Sequence, residues 1–410
     1  MQRFLLPVLT LLIVACSGGG EDPAAHSFRV YTENGVRIAE TTGGPKYSSE
    51  LFAYEHVLTL EQDPRREGSL LGRPLSGSLM DEDGAIYIRE MAPNRIACFD
   101  AEGKYSHDIG QGGQGPGEYS GQPELLSVRN GIVTIFDRTL ARISRFRTDG
   151  TFLESHTASY LTRRFSLEEF HRTPEGNFIG FETISPRRIN EHIYSHKIIT
   201  ILSADFDTLA QIETERVKGM YGREDGGHAY RFFNGYPDAV YHPEYGIYVT
   251  IGEEPVIRIY NLLGSLQSLI RLDIPPEKVS SNEIAAFRRA IHGMEESPVK
   301  TDMLDRLPDI TFCDPKAYWD DIMVEENGYI WASLPTYGYQ FWTQPGEMEH
   351  CYRIFSPEGE YLGETTLPHR GSISRGHLIT FDVNDETQLI ECDIYRIRPV
   401  LEGLLYPEGN

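Results

Sequence analysis

The side chains best suited to recognising a ligand fall between the chain's regular stretches. Arg138 and Arg142 flank one loop, Arg163 and Arg164 lie in the next connection, and Arg187 and Arg188 sit in a third loop. Tyr221, Arg223 and His228 come after them, and Tyr337 and Trp342 share a later loop with Tyr339 and Phe341. A guanidinium binds carboxylate or phosphate with two parallel hydrogen bonds and also stacks on rings. Aromatic side chains beside it suit sugars or peptides. Gathered on one face, these residues would form a concave site for an anionic, glycan-like or peptide-like small molecule, or for a protein. The competing expectation is that the arginines pair with the abundant Asp and Glu, each exposed pair adding little.

The histidines raise a second possibility, a metal-assisted hydrolase or lyase. His171 and His242 stand at the ends of two predicted strands, and His192 and His196 are four residues apart. Neither HExxH nor G-x-S-x-G occurs. Such an enzyme needs at least three His or carboxylate groups within reach of one ion. Cys98, Cys313, Cys351 and Cys392 show no CxxC or Cys/His spacing, so no metal and no cofactor is expected from them. They could pair in three ways or remain buried thiols. Asp137 and Asp382, each near the end of a strand, are expected to cap loops through backbone N–H groups.

A repeated unit positions these residues. Residues 80–105 read as strand, tight turn, strand, loop, strand, turn, strand. The first turn recurs at Gly84, Gly131, Gly176, Gly246, Gly328 and Gly376. Most intervals match the length of a propeller blade, about 40–50 residues, and the two after Gly176 and Gly246 are longer, as if loops were inserted. The second strands are AIYIRE, IVTIFD, NFIGFET, IYVTIG, YIWASL and HLITFDV; third strands such as RIACFD, RISRFR and CYRIFS follow them. The sixth unit has three strands before the chain ends. An unpartnered strand within 51–61 can complete it, which leaves no open edge. The predicted fold is therefore all-β: a six-bladed β-propeller of four-stranded blades over 28–410, its last blade closed by an N-terminal strand. Residues 28–41 form a hairpin around Asn34-Gly35. Residues 275–294 interrupt the pattern. There Ile284, Phe287 and Ile291 fall at helical spacing and Ser281 or Asn282 can cap, giving one helix between blades four and five, as a lid or as packing. In a propeller the loops joining second to third strands share one face with the loops joining blades, so the arginines and aromatics above would surround the channel mouth. His171 and His242 would lie at the opposite, turn-side end.

Residues 1–15 carry one charge, Arg3, before an apolar run too short to span a bilayer, as in a secretory signal. The run ends Ile13-Val14-Ala15-Cys16, which resembles a bacterial lipobox, where the Cys thiol carries a diacylglyceride. Two or three acyl chains on Cys16 would hold the protein stably to a membrane. Residues 16–27 then serve as a flexible tether. The formal charge of −23 repels phosphate backbones, so nucleic acid is not an expected partner.

With its blade phrases (DGAIYI, NRIACFD, EGKY), the ENGVRI hairpin and the loop GQGGQGPGEY at 110–119, the chain resembles the bacterial six-bladed β-propeller lipoproteins, relatives of the NHL-repeat propellers. The resemblance runs from about residue 28 to the C-terminus and weakens in blades three to five, where insertions are long. It implies the fold and a cell-envelope location, lipid-anchored at the outer membrane and facing the periplasm or the surface. The Gly-rich loop lacks the Lys-Ser/Thr and following helix of a phosphate cradle, and Glu118 would repel phosphate. It is expected to be a structural corner.

Overall fold

The computed structural model describes residues 25–406 except 64, 66–67, 76, 92–94, 122, 158–166, 190–191, 216, 223–227, 295, 336–349, 370 and 385–386, and only the backbone of 167, 185–189, 192–195, 217–222, 228–230 and 299. Six antiparallel sheets follow one another along the chain. Blade one comprises Leu79–Met80, Ile86–Glu90, Arg95–Phe99 and Tyr105–Ile109, and blade two Pro123–Arg129, Ile132–Asp137, Arg142–Arg147 and Phe152–Thr157. Blade three is built from Leu167–Arg172, Phe178–Ile189, His192–Leu202 and Thr208–Glu213, and blade four from Asp238–His242, Gly246–Thr250, Val256–Tyr260 and Leu266–Asp273. Ile322–Val324, Ile330–Ser333, His350–Phe355 and Tyr361–Leu367 make blade five. Gly371–Ser374, His377–Val383 and Ile390–Pro399 begin blade six, and Phe52–Thr59 completes it. In that last pairing Leu58 lies opposite Ile394 and Thr59 opposite Asp393, so the expected closure of the ring is present.

All six first-turn glycines have positive φ, between 69° (Gly131) and 104° (Gly246), a region that side chains with a Cβ rarely adopt. The core divides into layers between neighbouring blades. Ile86, Ile88, Ala97 and Phe99 of blade one pack on Ile379, Cys392 and Ile394 of blade six. Phe136 and Ile143 of blade two pack on Phe170, Phe178 and Leu202 of blade three. Each of the six interfaces has one such apolar layer, as a closed ring requires.

The N-terminal hairpin forms as expected, Ser27–Glu33 against Val36–Thr42, with Asn34 (φ 51°) and Gly35 (φ 82°) in the turn. Its place was not evident from sequence: Val36–Thr42 pairs parallel with Leu266–Asp273 and widens blade four to six strands. The chain then crosses the outer edge of blade five, where Lys46 N–H and Tyr47 N–H donate to Tyr361 O and Leu362 O, before entering blade six. One N-terminal stretch thus clasps three consecutive blades.

Blade three departs from expectation. Arg187 and Arg188, read as loop residues, lie in a strand that pairs Arg187 with Tyr194. The register shifts between Ile184 and Arg187, around Pro186, which has no N–H to give to the ladder. The insertion between blades three and four adds two strands, Val217–Gly222 and His228–Phe232. The predicted helix spans Ser281–Gly293, but its cap is Ser280: Ser280 Oγ accepts from Glu283 N–H, and Glu283 Oε2 accepts from Ser280 N–H. This reciprocal box needs Ser and Glu three residues apart, which neither Ser281 nor Asn282 offers. A second helix, Pro298–Arg306, was not foreseen. Phe287 and Ile291 pack on Phe232, Phe233 and Met303, and no residue of the first helix lines the central cavity.

Candidate functional site: the central channel

The first strands of the blades surround a cavity of about 680 Å³ on the ring axis. At the end where blades are joined, charged groups alternate around the wall. Arg138 Nη2 lies 2.7 Å from Glu124 Oε1 and also donates to Glu168 O, while Arg89 Nη2 is 3.8 Å from the same Glu124 carboxylate. Lys197 Nζ continues the series, 3.3 Å from Glu168 Oε2 and 2.9 Å from Asp238 Oδ1. Asp238 in turn accepts from Ile322 N–H at 2.9 Å. Burial opposes the charge on Lys197, but Asp238 and Glu168 outweigh it and hold its pKa above the ordinary value. Asp321 accepts from Ser333 Oγ. Beside it the Asp320 carboxyl is pushed up to about 7, by burial first and then by the charges of Asp321 and Asp238. In a ring of six, blade two faces blade five. The mouth is therefore polarised, with guanidinium groups on blades one and two and carboxyl groups in excess on blade five.

Deeper in the channel, His171 Nε2 lies 2.8 Å from Glu169 Oε2, and its ring meets Phe181 and Tyr241 edge-on, each at 5.5 Å. At the turn-side end stand Arg129, Tyr241 and His242. Among the described residues no three of His, Cys, Asp and Glu come within reach of one ion, the condition set for a metal-assisted enzyme.

Of the residues singled out from sequence, Arg138 lines the channel. Arg142 is buried and serves the Gly-rich loop, donating to Gln114 O at 3.0 Å and to Glu118 O. In that loop Glu118 accepts from Gly115 N–H and Gln111 Nε2, and a Cβ on Gly113 would collide with the Glu118 carboxylate. The loop satisfies its own polar groups and joins blades one and two, which makes it the structural corner expected of it. Arg187 and Arg188 are placed by their backbone on the long strand Phe178–Ile189 of blade three, and Tyr221 and His228 on the two strands of the insertion that follows that blade. Arg163, Arg164, Arg223, Tyr337 and Trp342 lie outside the described residues, as does Cys16. Asp137 caps its loop, accepting from Ser120 N–H at 2.7 Å and Leu140 N–H at 3.0 Å. Asp382 does not. Asn384 Oδ1 accepts from Thr387 N–H in its loop, and Asp382 lies 3.7 Å from His369. Cys98, Cys313, Cys351 and Cys392 are all free thiols.

Sequence reasoning passed over Glu124, Arg129, Lys197, Asp238, Tyr241 and Asp321, because it looked for the site in loops. A signal was present: Asp238 opens, and Asp320-Asp321 directly precede, short apolar first strands, where an acid has no packing role.

Residues 73–242 match the model of DUF5128, described as a 6-bladed beta-propeller. Among solved structures, a Bacteroides fragilis protein provisionally named as exported superposes with a TM-score of 0.50 at 12% identity, over 88% of this chain and 99% of that one. A duf4221 family member from Bacteroides vulgatus gives a TM-score of 0.44 at 12% identity, over 85% and 99%. A Xanthomonas campestris gluconolactonase gives 0.35 at 10% identity, over 85% and 99%. No curated protein matches the sequence. At such identities the likeness concerns fold alone. The chain is a six-bladed β-propeller whose residues 73–242 carry the DUF5128 pattern.

Proposed function

We propose that this is an envelope-located binding propeller, anchored through lipid on Cys16, which takes a small amphoteric, peptide-like ligand into its central channel. The observation that carries this is the polarised mouth. Its arginines already share Glu124, which disfavours a polyanion, while Asp321 on the opposite wall lacks a basic partner within ion-pair distance among the described residues. A ligand with both charges, or with a basic group toward blade five, complements such a wall; a simple anion does not. The cavity volume suits a ligand of a few residues.

The test uses full-length protein purified in detergent and a thermal-shift panel of mixed-charge tripeptides, neutral oligosaccharides and polyanions. Mixed-charge peptides should raise Tm saturably, and Asp321→Asn should weaken the best of them about tenfold. Stabilisation by polyanions or oligosaccharides alone, or an unchanged response in Asp321→Asn, overturns the ligand class. The anchor is checked on the same material: intact mass should show the acyl chains, and Cys16→Ser should lack them.

A further inference from the structure

We propose that the turn-side end of the channel is a carboxylate subsite, formed by the Arg129 guanidinium with Tyr241 O–H and His242 Nε2–H as neutral donors. This rests on the peptide-like ligand proposed above and assigns the end that carries its negative charge. Arg129 ends the first strand of blade two, Tyr241 and His242 end that of blade four, and all three line the cavity.

Each has an unmet capacity. Arg89, Arg138 and Arg172 all hydrogen-bond to oxygen atoms of the protein. The nearest carboxylate to Arg129 is that of Glu244, 3.8 Å away and 63% exposed, beyond hydrogen-bond distance and well hydrated. His242 is 4% exposed, and its Nδ1 accepts N–H groups from Glu244 and Tyr245 at 3.2 and 3.3 Å. That places the ring proton on Nε2, which completes no hydrogen bond of normal geometry, although the Glu326 backbone lies near enough to favour the protonated ring. Tyr241 is 9% exposed, and its hydroxyl has no hydrogen-bond partner. Buried donors are nearly always paired, and each one left unmade costs about 1–3 kcal/mol. Burial, with the charge of Arg129 adding, lowers His242 to about 4, so the ring is neutral and donates without bringing a charge. After burial, Tyr241 feels the Glu175 carboxylate first and then the charge of Arg129, so its hydroxyl stands in the field of both.

A carboxylate matches this set. Its two oxygens offer about four lone pairs to a forked guanidinium and two single donors. A phosphate would bring up to two charges against one guanidinium, with Glu326 and Glu244 at the same end.

Acetate is the probe. Full-length protein in detergent, labelled selectively at His and Tyr, is titrated with sodium acetate against sodium chloride at equal ionic strength and followed by NMR. His242 and Tyr241 resonances should shift saturably with acetate. The response should weaken at least tenfold in Arg129→Met, and at least threefold in Arg129→Lys, which keeps the charge and loses the fork. Thermal unfolding checks that each variant is folded, and Tyr241→Phe should weaken acetate without moving His242 Nδ1. No saturable shift, an unchanged response in both Arg129 variants, or tighter saturation by phosphate than by acetate overturns the proposal. Should the tripeptides bind equally well as C-terminal amides, this subsite fails while the channel reading stands.

Discussion

Replacing Glu325 by Gln tests how the C-terminal segment is held. Glu325 is 2% exposed, beneath blade five. The Tyr406 hydroxyl lies 2.6 and 2.8 Å from its two carboxyl oxygens, and Trp331 Nε1 donates to one of them. A hydroxyl has one proton to give, so contact with both oxygens fits a protonated carboxyl that donates to Tyr406 while accepting from it. Burial pushes the carboxyl up from the ordinary 4.5 to about 7. The sign follows from linkage. Below pH 4.5 Glu325 is protonated both folded and unfolded and has no effect. Between 4.5 and about 7 only the unfolded chain ionises, so stability falls as pH rises, and above 7 the loss is complete. At about 1.4 kcal/mol for each pH unit, the loss is about 3 kcal/mol. Gln keeps the shape and one acceptor but cannot ionise. Urea unfolding followed by tryptophan fluorescence from pH 4.5 to 8 should show Glu325→Gln gaining about 3 kcal/mol relative to the wild type across that range. A difference between the two proteins that stays constant with pH refutes a buried, protonated Glu325.

Two further predictions concern the ring. Ala39 is fully buried where the N-terminal hairpin meets Ile270 and Gly359, so Ala39→Asp would bury an unpaired charge. It should cost about 3–5 kcal/mol, lower Tm by several degrees and expose residues 43–51 to limited proteolysis; a wild-type digestion pattern counts against the clasp. Of the four cysteines described, Cys351 is half-buried while the other three are buried, and burial pushes the Cys98 thiol up to about 12. Iodoacetamide at pH 8 should modify Cys351 first in the native protein and all four in urea without reductant, as read by mass spectrometry; a pair protected in urea would indicate a disulfide.

Much of the architecture was legible because propeller blades are local. Each is a run of short strands whose turns demand glycine at fixed places, so Gly84, Gly131, Gly176, Gly246, Gly328 and Gly376 mark the ring before any long-range contact is known. The closure could be argued from an unpartnered strand at one end and a three-stranded blade at the other. The hairpin's docking on blade four could not be, because parallel addition to an outer edge leaves no pattern beyond alternation. The site was harder to see. Arg138 was found, but its partner Glu124 and the facing Asp321 come together only through ring geometry, and no spacing along the chain encodes that blade two looks across at blade five. Arg142 misled for a related reason: its type suggested a ligand, while its position beside the Gly-rich corner gave it backbone carbonyls to hold.

The point at which the chain joins the ring has a mechanical consequence. Ser27–Glu33 is the outermost strand of the six-stranded sheet of blade four. Any tug passed down from residue 25 arrives there first. Ser27 sits opposite Thr42 at the open end of the hairpin, so this strand can peel away rung by rung as a fuse while the six sheets stay shut.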